Sequence, residues 1–206
     1  MPVTPQIDFK AMIARRRAYG DKTFGARHLT GNYRQLRRAT TEIADCHVYL
    51  TLELESRRRR CTLTAGHQRI IGALVTDIAE VGEVLAAATR VICDPGVTFN
   101  DLRHERWGYG ARKHADSYVG RDNLYEALEE LADAHIFVSL QAERLRHRGQ
   151  YPDEVQRVLV DAQARIEALA RDVASAQAGA QEPTIGDRLV GVVSAGDLRR
   201  AHRVAA

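Results

Sequence analysis

The feature that most limits how this chain can fold is that it repeats itself. At an offset of 90 residues, Ile7-Asp8-Phe9 followed by Met12, Arg16 and Tyr19-Gly20 matches Val97-Thr98-Phe99 followed by Leu102, Arg106 and Tyr109-Gly110. At an offset of 88, Leu36–Glu55 matches Leu124–Glu143, with Glu42/Glu130, Asp45/Asp133 and His47/His135 among eight identical positions of twenty. Several of the differences in that window keep size and polarity, as in Ile43/Leu131, Tyr49/Phe137 and Thr51/Ser139. A repeat of this kind means one supersecondary unit used twice, each copy burying an apolar face that it cannot bury alone.

The unit reads as three helices. Apolar positions recur at helical spacing with no strand-like alternation. Asp8 and Thr98 are N-cap candidates, because a short side-chain oxygen satisfies the free amides of a first turn. The first helix of each unit is expected to stop at the glycine of Tyr19-Gly20 or Tyr109-Gly110, since glycine readily takes the left-handed helix-ending conformation. The second helices follow Gly31-Asn32 and Asp122-Asn123 and run to Arg57–Arg60 and Arg144–Arg148, where cations complement the C-terminal dipole. The third start near Gly66 and Pro152-Asp153 and continue toward Arg90 and Ala178.

Along the second helices, Leu36, Thr40, Ile43, His47, Leu50 and Leu54, with Leu124, Leu128, Leu131, His135, Val138, Ala142 and Leu145, form a near-heptad seam. A second stripe, Ala39, Cys46 and Tyr49 with Ala127, Ala134 and Phe137, widens it, so these two helices are expected to be central. The fold class is therefore all-α, a tandem duplication of a three-helix unit packed as a helical bundle. Cys93-Asp-Pro-Gly96 breaks the helical pattern and divides the chain into a first unit, 1–93, and a second, 97–182; residues 183–206 have no counterpart and form a C-terminal appendage.

Composition narrows the setting. No segment approaches the ~20 apolar residues needed to cross a bilayer, and the first residues lack a basic stretch followed by an apolar run. A cytoplasmic protein without membrane association is expected. Cys46, Cys61 and Cys93 are odd in number and lack metal-type spacing, so they read as reduced thiols, with Cys46 in the core. Residues 1–60 carry 13 Lys/Arg against 6 Asp/Glu, an excess that marks either solvated helix ends or a surface for nucleic acid or another polyanion. Arg15–Arg17 and Arg57–Arg60 are its strongest runs.

Glu42 with Asp45, and Glu130 with Asp133, are spaced three apart on a helix, so each pair shares a face. Such pairs suit magnesium, which takes hard oxygen ligands and keeps several waters. They equally suit structural ion pairs, for which Arg69/Arg157 and Arg16/Arg106 are the matching cations. Glu126 and Glu129 extend the acidic face in the second copy only, so a single metal would be expected there. His47 and His135 lie two residues beyond the aspartates, about 200° around the helix, and read as packing histidines. The tyrosines of the Tyr-Gly pairs read as packing at turns, with stacking on a base as the alternative. No phosphate-cradling glycine loop, nucleophile elbow or histidine-rich metal helix is present.

Asn123–Val138, with its Glu130-x-x-Asp133 and an upstream Tyr-Gly, resembles the second metal-binding helix of the MazG-like all-α nucleoside triphosphate pyrophosphatases, especially phage-type members. Glu80-Val-Gly-Glu83, within Asp77–Leu85, is similar to that family's glutamate-rich first helix. The resemblance implies a magnesium site built from Glu80, Glu83, Glu130 and Asp133, with Glu42 and Asp45 as a second acidic pair. It implies cleavage of a nucleotide between its α and β phosphates, with Arg112 and Lys113 neutralising phosphate charge. At the positions equivalent to Glu80 and Glu83 the second copy has Ala168 and Arg171, so the full set exists only as a composite of the two units. The expectation is thus a protein that binds, and under this resemblance hydrolyses, a nucleotide. The alternative is a non-enzymatic phage or mobile-element accessory protein whose duplicated unit binds protein or nucleic acid. A duplicated unit can be a monomer with internal pseudo-symmetry or assemble into a homo-oligomer.

Overall fold

The computed structural model describes residues 7–24, 34–114, 117–150 and 152–178. They form six α-helices: α1 (Phe9–Phe24), α2 (Gln35–Arg59), α3 (Ala65–Ile92), α4 (Phe99–His114), α5 (Asn123–His147) and α6 (Asp153–Gln177), with a 3₁₀ turn at Ser117–Gly120. There is no strand among the described residues. No helix among them is long and apolar enough to cross a membrane. The appendage at 183–206 and the Gly31-Asn32 signal lie outside the described residues.

The expected caps at Asp8 and Thr98 form, and Asp122 caps a third helix. Asp8 Oδ1 accepts from the Ala11 amide at 3.0 Å, Thr98 Oγ1 from the Asp101 amide at 3.1 Å, and Asp122 Oδ1 from the Tyr125 amide at 3.0 Å. The long helices end where the arginine clusters and the Cys93–Gly96 link place them. The short ones do not stop at the Tyr-Gly pairs: α1 continues through Gly20 to Phe24, and α4 through Gly110 to His114. Gly20 has no positive φ and no neighbour within 4 Å of where a Cβ would stand, so nothing there needs a glycine-specific turn.

α2 and α5 are the central pair. They run antiparallel, because Asn123 at the start of α5 reaches Glu53 near the end of α2, and Arg38 near the start of α2 lies 5.6 Å over the Phe137 ring. Ala39, Ala44, Cys46, Ala127, Ala132 and Ala134 are fully buried on these helices. Small side chains on both surfaces let the backbones approach. The seam leucines and isoleucines, among them Leu36, Ile43, Leu50, Leu128 and Leu131, are also sealed from solvent. Each contributes about 1.5–3 kcal/mol by the area it removes from water. α3 and α6 flank this pair and touch each other.

The short helices cross over: α4 packs on α2, and α1 on α5. Gly82 in α3 makes the first docking possible. A Cβ there would stand 2.3 Å from Phe99 Cε2, so only glycine leaves the notch that the fully buried Phe99 ring fills. The link before α4 is also tied down. Asp94 accepts from Arg34 Nη1 at 2.8 Å and from Arg37 Nη1, and Arg90 donates to the Val97 carbonyl at 3.1 Å. Arg37 and Arg34 hold the Asp94 carboxyl below the usual range.

Candidate functional site

Where α2 and α5 cross, Glu42, Asp45 and Glu130 each bring a carboxylate oxygen within 4.8 Å of the others. Asp133 completes the two Glu-x-x-Asp pairs one turn away. The crossing geometry follows from the seam, since the helix positions that bury Ile43 and Leu131 turn their neighbours Glu42 and Glu130 toward the same opening.

Two arginines close this group. Arg106 on α4 donates Nε to Asp45 Oδ1 at 2.6 Å. Arg16 on α1 donates Nε to Asp133 Oδ1 at 2.6 Å and Nη2 to Asp133 Oδ2, and its Nη1 lies 3.0 Å from Glu129 Oε1. Of the cations the sequence offered as partners, the matched Arg16 and Arg106 supply the pairing, each reaching the aspartate of the other unit. Hydrogen bonding to Asp133 raises the Arg16 pKa, and Asp45 does the same for Arg106, so both remain cationic.

Among the described residues Glu42 and Glu130 have no arginine ion-pair partner, and they face each other within the group. Burial raises both pKa values well above the ordinary carboxylate range, and the surrounding carboxylates raise them further, which favours one shared proton over two ionised carboxylates. The Cys46 thiol beneath them is pushed up by burial and by Glu130.

The composite set drawn from the sequence does not come together. Glu80 and Glu83 are exposed on α3 and do not join the group. The reason is helical phase: α3 turns Ile78, Val81 and Leu85 inward, and Glu80 and Glu83 each lie two residues, about 200°, beyond Ile78 and Val81. The gathered group draws on both α2 and α5 and is not confined to the second Glu-x-x-Asp pair. Arg112 and Lys113 fall in the last turn of α4, where side chains lie outside the described residues.

Neither histidine joins the carboxylates. His47 sits edge-on to Phe99, with ring centroids 6.3 Å apart, and burial lowers its pKa to about 4. His135 is lowered by burial as well, with Nε2 3.2 Å from Glu167 Oε1. The arginine run ending α2 is largely neutralised: Arg57 pairs with Glu53 at 2.7 Å, and Arg58 and Arg59 share Glu55 at 2.7 and 3.1 Å.

Beside the acidic group a cavity of about 600 Å³ opens between α1, the start of α2, and α5. Its wall is mixed. Met12, Ile136, Phe137 and Leu140 make it apolar, Tyr19 and Tyr125 add exposed rings, Arg15, Arg16, Arg17 and Arg38 bring cations, and Glu129 and Asp133 form the side nearest the carboxylates. Arg15 has no ion-pair partner among the described residues, whereas Arg17 pairs with Glu143 at 2.6 Å. Sequence reading found the Arg15–Arg17 run but not the cavity. Gln35, Arg38 and Tyr125 enter it from two helices whose register only the packed structure fixes.

The three carboxylates suit a divalent cation completed by water, provided the proton shared by Glu42 and Glu130 leaves, since a metal binds the deprotonated form. No protein-family model matches the chain, and no curated protein or solved structure matches it either.

Proposed function

We propose that this protein binds a nucleotide in the α1/α5 cavity, with magnesium held at Glu42, Asp45 and Glu130 and phosphate charge met by the arginines of α1. The observation that carries the reading is the adjacency of the two features. The cavity has the size and mixed lining of a small-molecule site, and its acidic wall is Asp133, close enough to the Glu42–Glu130 pair to raise both pKa values. Magnesium fits by chemistry, since it prefers carboxylate and phosphate oxygens. Arginine cations and aromatic rings on facing walls suit phosphates and a base.

On this reading the protein is a MazG-like relation in which each copy of a duplicated three-helix unit supplies one Glu-x-x-Asp pair. The crossed pairs Arg16–Asp133 and Arg106–Asp45 support the duplication, because matched residues make matched contacts. Pyrophosphohydrolase activity would require the bound cation to polarise a phosphoryl oxygen and generate hydroxide from water.

A second reading has its own observation. Arg16 and Arg106 already neutralise two carboxylates, and a shared proton neutralises part of the rest, which is what an internal brace in a non-enzymatic interaction protein requires. Titration of a nucleotide panel with magnesium into wild type and Glu130→Gln separates them. Saturable, magnesium-dependent binding lost in Glu130→Gln supports the nucleotide reading and justifies an assay for pyrophosphate release. No binding, with Glu130→Gln at least as stable as wild type, makes the cluster a brace.

A further inference from the structure

At the cavity's inner edge stands Gln35, the first residue of α2. It is 2% exposed and lines the cavity, yet its Oε1 is buried without a hydrogen-bond partner. A buried amide oxygen left unpaired is costly and uncommon in a folded protein unless something supplies the missing donor. The lining side chains around it do not. Arg16 is committed to Asp133 and Glu129, Arg17 to Glu143, and Arg38 lies over Phe137.

We propose that Gln35 is the base-reading residue of this cavity: its Oε1 accepts an N–H from the edge of a nucleobase held against the aromatic side formed by Phe137 and Tyr125. The inference rests on the nucleotide reading above and adds what that reading lacks, a specificity determinant. Phosphates and metal distinguish no base from another. A planar amide acceptor in a water-poor corner favours a ring N–H or exocyclic amine over any group without a donor, because the wrong ligand leaves Oε1 unpaired in the complex. The location agrees with this role. Gln35 lies seven residues before Glu42 on the same helix, about 10 Å along its axis, so a ligand with its charged end at the metal would bring its base to Gln35.

The test compares three ligands in the presence of magnesium: tripolyphosphate, ribose 5-triphosphate, and the tightest binder of a nucleoside triphosphate panel. Each is titrated into wild type, Gln35→Met and Gln35→Leu, with thermal melting as the fold check. Both substitutions remove the orphan acceptor, so each free variant should melt at or above the wild-type temperature. In wild type the nucleotide should bind at least tenfold tighter than ribose 5-triphosphate, and both variants should lose most of that margin while tripolyphosphate affinity stays unchanged. A nucleotide that binds no better than ribose 5-triphosphate, or a margin that survives both substitutions, overturns the assignment of Gln35 and leaves the phosphate and metal reading standing. Failure of all three ligands to bind overturns both.

Discussion

The two short helices begin from matched sequence and are seated in different ways. α4 is held by burial. Phe99 fills the notch over Gly82, Leu102 is buried beside it, and the preceding link is tied by Asp94 to Arg34 and Arg37. α1 is held mainly by charge. Phe9 is only partly buried, beside a shallow cleft whose floor is the buried Ala170, the residue aligned with Gly82. Met12 is the fully buried anchor of this helix, and Arg16 and Arg17 do the rest. One methyl group, present at residue 170 and absent at residue 82, accompanies the difference between a phenylalanine seated in a notch and one left partly exposed beside a shallow cleft. The candidate site has opened on the side where burial is incomplete.

The largest effect should come from the closed side. Phe99→Ala is expected to cost about 3–5 kcal/mol, the usual loss for a buried aromatic, while Phe9→Ala costs well under half of that in the same urea titration. Equal losses would erase the contrast. Gly82→Ala should follow at about 1–3 kcal/mol, because the added Cβ must displace the Phe99 ring. A variant as stable as wild type would mean the notch tolerates a methyl group.

Charge should govern the open side. Arg16→Met is expected to destabilise by about 1–3 kcal/mol through loss of charged hydrogen bonds to Asp133 and to release α1, read as faster amide exchange over residues 9–24. Arg106→Met should leave α4 protected, since Phe99 still anchors it. Exchange that rises equally in both helices would contradict this division.

A smaller effect concerns pH. Glu42 and Glu130 have folded pKa values above their unfolded ones, so the folded state binds more protons. Their contribution is complete below the unfolded carboxylate pKa and is lost as pH rises through the folded values, so stability should fall across the range from weakly acidic to mildly alkaline. Glu42→Gln or Glu130→Gln should flatten that slope in thermal melts. A slope unchanged in both variants would place the titrating group elsewhere.

Much of the fold was legible because helix periodicity and caps are local signals. The seam from Leu36 to Leu54 and from Leu124 to Leu145, the caps at Asp8 and Thr98, the Asp122-Asn123 start of α5 and the arginine-rich ends all mark their helices correctly. The ends of α1 and α4 were misread, because Tyr19-Gly20 looks like a stop signal but is solvent-facing helix, where glycine costs only about 1 kcal/mol. The site was half legible. Two Glu-x-x-Asp pairs are visible in sequence, but their meeting depends on the antiparallel crossing of α2 and α5. Glu80 and Glu83 carried the right residue types on the wrong face of α3, which inspection of the Ile78, Val81 and Leu85 phase could have shown. Gln35 gave no signal, since its interest lies wholly in being buried without a partner.

Whether the Glu42–Glu130 pair holds a metal is decided by titrating magnesium calorimetrically in two buffers of different ionisation enthalpy. Wild type should bind saturably, with heats that differ between buffers because a proton is released on binding, and Glu130→Gln should show neither signal. Saturable binding with identical heats, or binding that persists in Glu130→Gln, would place the metal elsewhere; no binding would leave the cluster an internal brace.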